Sequence, residues 1–233
     1  MILDWDRAPA EQMALDEAHL LGLGPQGPLD RVLRFTTWSP VGTSLGYFQK
    51  LEAFGELPPG PVVRRQTGGG AIHHAGELTF TFAAPETDAL YRGPVAESYD
   101  RVHALLAAAL LDLGVPAEPR GERELASEHA GTGMCFAKSS RFDLVWPNPS
   151  GRLAKGVGSA QRRRGGRVLH HGSIKILVDP YEPDVALVPG ETQAVLNAWL
   201  PHLAQAGVSY ETSPLTDAER THARDRAEHF LER

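Results

Sequence analysis

Cys135 is the only cysteine among 233 residues, and it lies in the glycine-flanked segment 133–136 just before a predicted strand. A thiolate is the best protein nucleophile for thioester exchange, and loops carry nucleophiles more often than core elements do. A free cysteine is also commonly a buried, unreactive residue. The thiol is therefore a candidate nucleophile, and an inert core cysteine is the alternative.

Lys155 is the second candidate, since it lies among small residues in the strand-like segment 152–161. A lysine ammonium can polarise an acyl carbonyl, hold a phosphate or stabilise a nearby thiolate. Gly158, Ser159 and Ala160 would leave room for a bound group beside it. The alternative is a lysine that protects an edge strand from aggregation.

A glycine-rich segment, residues 64–71, follows another predicted strand. Adjacent glycines let the backbone approach a ligand closely, and Arg64 and Arg65 could hold a carboxylate or phosphate. The segment lacks the GK[ST] ending of a P-loop and the helix that follows a dinucleotide fingerprint. A ligand-binding loop and a tight structural turn both explain it. The candidate binding residues are Arg65, Thr67, Gly68, Gly69 and Gly70.

Two pairs of adjacent histidines, His73-His74 and His170-His171, suggest a metal site. Neighbouring residues in a strand point to opposite faces, so each pair can offer only one ligand to a given site. Because no cysteine or acidic ligand pattern accompanies them, we predict no bound metal. We expect one histidine of each pair to line the pocket.

The chain has a net charge of -6 but contains a local basic cluster, Arg162, Arg163, Arg164 and Arg167. The overall charge argues against a general nucleic-acid binder, whose phosphate contacts need a surplus of lysine and arginine. The cluster could receive an acidic protein partner or a phosphate. A solvated hairpin tip is the alternative.

The composition predicts one domain over residues 1–233 with no separate C-terminal accessory domain, because no linker-like tract divides the chain. No apolar run of about 18 residues exists to span a bilayer. The first residues lack the pattern of a signal peptide. A single cysteine forms no internal disulfide, which suits a reducing cytoplasm.

Helices and strands around these residues follow from hydrophobic periodicity. Helices are predicted over 9–21, from Ser98 to about 113, over 192–203, and after the capping box formed by Thr216 and Glu219. The strand-like runs are VLRFT, SLGYFQ, PVVRRQ, LTFTFAAP, RFDLVW, RLAKGVGSAQ and RVLHHGSIKILV.

The last two runs predict a hairpin with its tip near Gly165. In LTFTFAAP, Leu78, Phe80 and Phe82 alternate with threonines, which is typical of a sheet with one buried face. We therefore predict an α+β domain with a largely antiparallel or mixed sheet flanked by helices.

Five segments in this order, RRQTGGGAIHH, ELTFTF, CF, KGVGSAQ and HHGSI, resemble the biotin/lipoate protein ligase and octanoyltransferase superfamily. The resemblance spans roughly residues 15–176 and is specific because the segments agree in order and spacing. It implies the catalytic-domain fold of that superfamily. It also implies a ligand pocket that includes the glycine loop. The pocket residues outside that loop would be His74, Gly158, Ser159, Ala160, His171 and Gly172.

SLGYFQ, ELTFTF and Cys135-Phe136 resemble the cysteine-dependent octanoyltransferases of the LipM type. This implies that Cys135 accepts octanoyl from acyl carrier protein as a thioester and passes it to a lysine of a lipoyl domain or glycine-cleavage H protein. Lys155 would be the essential lysine, and no cofactor is implied. The cysteine of the LipB type is missing from residues 167–172.

Two departures keep other functions open. Gly70 stands where LipM-type enzymes often have arginine, and Ala75 replaces the usual aspartate after His74. Because Gly70 is ligase-like, the alternative is a lipoate or octanoate ligase that uses ATP and Mg²⁺ and forms an acyl-adenylate. A third hypothesis is a non-catalytic acyl- or biotin-binding subunit.

Overall fold

The computed structural model describes residues 1–24 and 31–232. The helices are α1 Pro9–Leu20, α2 Val95–Asp112, α3 Thr192–Gln205 and α4 Asp217–Arg226, with short 3-10 helices at Leu51–Ala53 and Ala227–Phe230. The strands are β1 Ile2–Arg7, β2 Val32–Trp38, β3 Gly42–Leu45, β4 Val62–Arg64, β5 Ile72–His74, β6 Glu77–Pro85, β7 Glu118–Pro119, β8 Leu144–Pro147, β9 Leu153–Arg164 and β10 Arg167–Lys175.

The predicted mixed sheet is confirmed. Seven strands lie in the order β1-β2-β6-β10-β9-β8-β7, and three more form a small sheet in the order β4-β3-β5. In the large sheet β1 pairs parallel with β2, and the other neighbouring pairs are antiparallel. Strand β1 is not predicted from the sequence, because its acidic residues and arginine obscure the hydrophobic pattern. The fold is α+β.

The prediction of a single buried sheet face is wrong, because helices cover both faces. On one face Phe80 and Phe82 pack with Trp199 of α3, and residues of α2 complete this core. On the other face the Thr81 hydroxyl donates to Asp16 of α1 over 2.9 Å, and Thr79 accepts from Trp38 over 2.8 Å. Threonine hydroxyls with such partners can be buried at little cost, so alternation with threonine does not require an exposed face.

Most predicted elements occur near their expected positions. Helix α3 continues through Pro201 to Gln205. The capping box of Thr216 and Glu219 opens α4. The β9–β10 hairpin turns at Gly165 and Gly166, whose φ angles are +60° and +76°. No helix within the described residues is long and apolar enough to cross a membrane.

The run SLGYFQ is only partly a strand, since β3 ends at Leu45. The chain turns at Gly46, where an added Cβ would lie 2.1 Å from the carbonyl oxygen of Gly69. The Tyr47 N–H then donates to the carbonyl of Thr67 over 2.8 Å. Residues 46–49 therefore form a loop against the glycine-rich segment instead of extending the sheet.

Candidate active site

A pocket lies between α1, the large sheet and the glycine loop, with about 470 Å³ of empty volume including its open mouth. Ten of the residues predicted from the sequence line it: Arg65, Gly68, Gly69, His74, Cys135, Gly158, Ser159, Ala160, His171 and Gly172.

Cys135 lines this pocket, and Lys155 lies directly beside it. The Lys155 ammonium is 3.5 Å from the Cys135 sulfur, and it also donates to the carbonyl oxygens of Cys135 at 3.0 Å and Lys138 at 3.1 Å. Its fourth contact is an ion pair of 2.9 Å with the Asp143 carboxylate. An ammonium fixed at this distance stabilises negative charge on the sulfur. The geometry therefore favours a nucleophilic role for Cys135 over that of an inert core cysteine.

Lys155 is a buried lysine on an interior strand, so the edge-strand alternative is wrong. Strand β9 lies between β10 and β8, and Lys155 is only 2% exposed. Burial by itself lowers the pKa of Lys155, but the charges of Cys135 and Asp143 outweigh it and raise the pKa above its usual value. The lysine is thus held as a cation beside the sulfur.

Two main-chain hydrogen bonds attach the cysteine segment to the glycine loop. The Ala71 N–H donates to the Gly133 carbonyl over 2.9 Å, and the Cys135 N–H donates back to the Ala71 carbonyl over 2.6 Å. A Cβ added at Gly70 would lie 2.7 Å from the nitrogen of Cys135 and 2.8 Å from its Cα. Glycine at position 70 is therefore explained by the close approach of the two segments.

Arg65 and Arg64 both bind the protein itself, which corrects the expectation that they are available for an anionic ligand. The buried Arg65 guanidinium donates to the carbonyl oxygens of Gly68 and Gly70, each over 2.7 Å. Arg64 forms an ion pair of 2.6 Å with Glu232 and also donates to loop carbonyls. Burial lowers the pKa of Arg65 to about 10, while the charge of Cys135 acts in the opposite direction.

One histidine of each pair faces the pocket, as strand alternation predicts. His74 bonds to Glu77 through Nδ1 and to the Ser44 hydroxyl through Nε2, at 2.5 and 2.8 Å. His171 bonds to Asp16 through Nδ1 and to the Thr67 hydroxyl through Nε2, each over 2.6 Å. The other two lie elsewhere: His73 contacts Asp179, and His170 packs among aromatic rings on the opposite sheet face.

Gly158 of β9 keeps the pocket open beside the sulfur, since a Cβ there would lie 3.2 Å from the Cys135 sulfur. Gly172 of β10 lines the pocket with its main chain only, because a Cβ there would lie 2.5 Å from the Phe80 ring on the opposite sheet face. Ser159 contributes main chain to the lining, because its hydroxyl bonds to His103 of α2 on the other face over 2.8 Å. The strip beside the thiol is therefore largely peptide backbone.

Residues 8–194 match the family described as "Lipoyl protein ligase A/B catalytic domain". The chain belongs to this family.

Octanoyltransferase LipM of Moorella thermoacetica is 42% identical over 177 residues, which cover 73% of this chain and 62% of that protein. The chain thus spans less than two thirds of the length of this curated relative. A crystal structure of lipoate-protein ligase A bound with ATP has a TM-score of 0.73 at 21% identity and covers 97% of this chain and 93% of that one. A bipartite lipoate protein ligase from Thermoplasma acidophilum, solved in work on that ligase and its E2 lipoyl domain, has a TM-score of 0.67 at 20% identity and covers 97% and 91%.

Several pocket residues of this lipoyl protein ligase A/B catalytic domain were not predicted from the sequence. Asp16, Arg34, Trp38 and Ser44 all line the pocket. Arg34 is 1% exposed and pairs with Asp16 over 3.2 Å. A carboxylate on the apolar face of a predicted helix and an arginine inside an apolar strand were the available signals, because such groups are rarely buried without a partner.

The basic cluster of this family member does not form one surface. Arg163 points to the α2 face, where it donates to the carbonyls of Tyr91 and Gly93, each over 2.9 Å. Arg162 points to the opposite face, donates to Gln66 over 2.8 Å and stacks over the Tyr47 ring. The reason is strand alternation, since consecutive residues of β9 face opposite ways. The four arginines therefore do not share one face: Arg163 lies on the α2 side, and Arg162, Arg164 and Arg167 lie on the other.

Proposed function

We propose that this protein is an octanoyltransferase that transfers an octanoyl group through a Cys135 thioester to a lysine of a partner protein. The observation that carries the proposal is the 3.5 Å contact between the Lys155 ammonium and the Cys135 sulfur beside the pocket that Cys135 lines. The identity of 42% to octanoyltransferase LipM supports the choice of acyl group and reaction.

The reaction has two acyl-transfer steps. The Cys135 thiolate attacks the carbonyl carbon of an octanoyl thioester, the carrier's carbon–sulfur bond breaks, and its thiolate takes a proton from water. The amine of the acceptor lysine then attacks the Cys135 thioester, forms the amide, releases the Cys135 thiolate and loses a proton. A thioester is already activated, so neither step requires a nucleotide or other cofactor.

The glycine loop supplies candidate donors for the acyl oxygen. Within the described residues, the N–H groups of Gly68, Gly69 and Gly70 donate no hydrogen bond, and Gly68 and Gly69 line the pocket. Fixed N–H groups that meet a developing oxyanion lower the barrier to acyl transfer. Lys155, which is held as a cation, would stabilise the thiolate in both steps.

The proposed partners are acyl carrier protein as donor and a lipoyl domain or glycine-cleavage H protein as acceptor. The T. acidophilum ligase of similar fold, solved in work on its E2 lipoyl domain, supports the choice of acceptor. The face that carries Arg162, Arg164 and Arg167 would receive an acidic partner, and the exposed Tyr47 and Phe48 lie on the neighbouring loop. A buried free thiol is suited to the reducing cytoplasm, where we propose that the protein acts.

Intact-protein mass spectrometry tests the function directly. The chain is mixed with octanoyl-acyl carrier protein without ATP, beside Cys135→Ser. We expect an octanoyl mass gain that hydroxylamine removes and that the variant lacks. Gain only with ATP and free octanoate, unaffected by Cys135→Ser, would indicate a ligase instead. Octanoate binding with no transfer in either reaction would indicate a non-catalytic acyl-binding subunit.

A further inference from the structure

Arg65 is a buried cation without a carboxylate partner of its own. Its guanidinium is 3% exposed, and within residues 1–24 and 31–232 it forms no ion pair. Its five N–H donors meet only carbonyl and hydroxyl oxygens, those of Ser44, Thr67, Gly68 and Gly70. A buried cation usually requires an opposite charge nearby. The groups to which these oxygens are in turn hydrogen-bonded show how the charge of Arg65 is balanced.

The first chain of hydrogen bonds from Arg65 passes through Thr67. Arg65 Nε donates to the Thr67 hydroxyl over 3.2 Å, and that hydroxyl contacts His171 Nε2 over 2.6 Å. Because guanidinium can only donate, the hydroxyl accepts from it, and the same hydroxyl is hydrogen-bonded to the imidazole. His171 Nδ1–H then donates to the Asp16 carboxylate over 2.6 Å.

A second chain of hydrogen bonds, of the same kind, passes through Ser44. Arg65 Nη1 donates to the Ser44 hydroxyl over 3.2 Å, and the hydroxyl donates to His74 Nε2 over 2.8 Å. His74 Nδ1–H donates in turn to Glu77 over 2.5 Å. Two hydroxyl–imidazole–carboxylate chains thus end on one guanidinium, and each links it to a buried negative charge.

The other side of Arg65 leads to the nucleophile. Arg65 Nη2 holds the Gly70 carbonyl at 2.7 Å. The same peptide unit presents the Ala71 N–H to Gly133, and Ala71 in turn accepts from the Cys135 N–H over 2.6 Å. The C=O and N–H of a trans peptide point in opposite directions. The orientation of the Gly70 carbonyl therefore fixes the direction of the Ala71 N–H, which holds the cysteine segment at Gly133.

We propose that Ser44 and Thr67 are positioning residues that hold Arg65 from two sides, so that Arg65 fixes the glycine loop and, through it, Cys135. They would act on the rate of acyl transfer through Arg65 and the glycine loop. The effect on acyl transfer rests on the proposed function. The positioning of Arg65 and Cys135 rests on the hydrogen-bond geometry alone.

Removing one hydroxyl at a time tests this proposal. In Thr67→Val and Ser44→Ala, we expect kcat for acylation of Cys135 by octanoyl-pantetheine to fall about tenfold, with KM changed less than about twofold. Thr67→Ser restores the hydroxyl and should recover most of the rate. Thr43→Val is the matched control, since the Thr43 hydroxyl is buried beside Ser44 with no hydrogen-bond partner in the described part of the chain.

Alkylation of Cys135 by iodoacetamide provides a readout that does not depend on octanoyl chemistry. We expect it to slow at least about threefold in Thr67→Val and Ser44→Ala, but not in Thr67→Ser or Thr43→Val. Equal rates in all five proteins, with circular dichroism showing that each is folded, would overturn the positioning role. If the native chain accepts no octanoyl group while the alkylation pattern holds, only the proposed function fails.

Discussion

The indole ring of Trp38 stacks on the imidazole ring of His74, with 3.6 Å between ring centroids and 3° between ring planes. Both rings line the pocket beside Cys135, and both also line a second cavity that opens to solvent and includes Ile176 and Leu177. Hydrogen bonds to Thr79 and Glu77 hold the two rings in place. The stacked pair is therefore a wall between two cavities.

Shortening Trp38 should change acyl-chain preference. In Trp38→Ala the two cavities would join, and we expect the ratio of kcat/KM for dodecanoyl over octanoyl thioesters to rise about tenfold, because each added methylene buries more apolar area. Competition between thioesters of different length measures the ratio. Leu177→Ala enlarges only the second cavity and should leave the ratio unchanged. An unchanged ratio in a folded Trp38→Ala protein would show that this wall does not limit chain length.

Replacing Lys155 should abolish thioester formation. In Lys155→Met we expect the rate of Cys135 acylation to fall at least about 100-fold, because the sulfur loses the ammonium that stabilises its negative charge. The change also leaves Asp143 buried without its cation, which lowers stability.

Lys155→Met combined with Asp143→Asn separates these two effects. The double variant should regain stability in thermal unfolding but remain inactive in the mass assay. Lys138→Ala removes an exposed side chain from the same segment and should acylate normally. Recovered acylation in the double variant would contradict a chemical role for Lys155.

Two glycines of the same loop should differ in their tolerance of a methyl group. Gly70→Ala would press on the backbone of Cys135 at 2.7 Å, whereas the nearest atom to a Cβ at Gly68 is in the Phe48 ring at 3.9 Å. We expect Gly70→Ala to lower the free energy of unfolding by about 1–3 kcal/mol. Gly68→Ala should not lower it. Denaturant titration compares the two, and equal values would show that the cysteine segment moves aside without cost.

Stability should fall in mild acid because buried histidines are held neutral. Burial, together with the charges of His103 and His171, lowers the pKa of His170 well below its usual value. The folded state then binds fewer protons than the unfolded state below about pH 6.5, so its stability is full above that pH and decreases as pH falls. His19, His74 and His103 shift in the same direction, chiefly through burial.

His170→Phe isolates one of these contributions. The new ring would lie among Phe80, Tyr91 and Tyr99, which already surround the imidazole. Between pH 7.5 and 5.5 we expect the variant to lose about 1 kcal/mol less stability than the native chain. Denaturant unfolding at both pH values measures the difference. Parallel losses would mean that His170 is not held neutral.

Features that depend only on neighbouring residues were predicted correctly from the sequence. The Gly165-Gly166 turn was visible in the sequence, and so was the division of each histidine pair between two faces, because both follow from the geometry of a single strand or hairpin. The resemblance to a known superfamily identified Cys135 and Lys155 as a pair, which no spacing could have done, since 20 positions separate them.

The role of Arg65 could not be predicted for the same physical reason. Its partners come from β3 and the glycine loop, and the groups behind them come from α1, β6 and β10. Only the folded sheet brings these segments together. In the sequence, an arginine beside glycines suggests a ligand-binding group. In the structure, the Arg65 guanidinium instead donates to oxygen atoms of the protein itself.

The thiol is held in place by peptide groups at Ala71, Gly133 and Cys135. Position 133 favours glycine, because its φ is +71° and a Cβ there would lie 2.8 Å from the Phe54 ring. At position 71 every residue except proline carries the same N–H and C=O, so there the attachment does not depend on the side chain. During evolution the partly exposed Met134 could therefore be replaced freely while the nucleophile kept its location. A proline at position 71 is the change that would release it, by deleting the N–H that donates to Gly133.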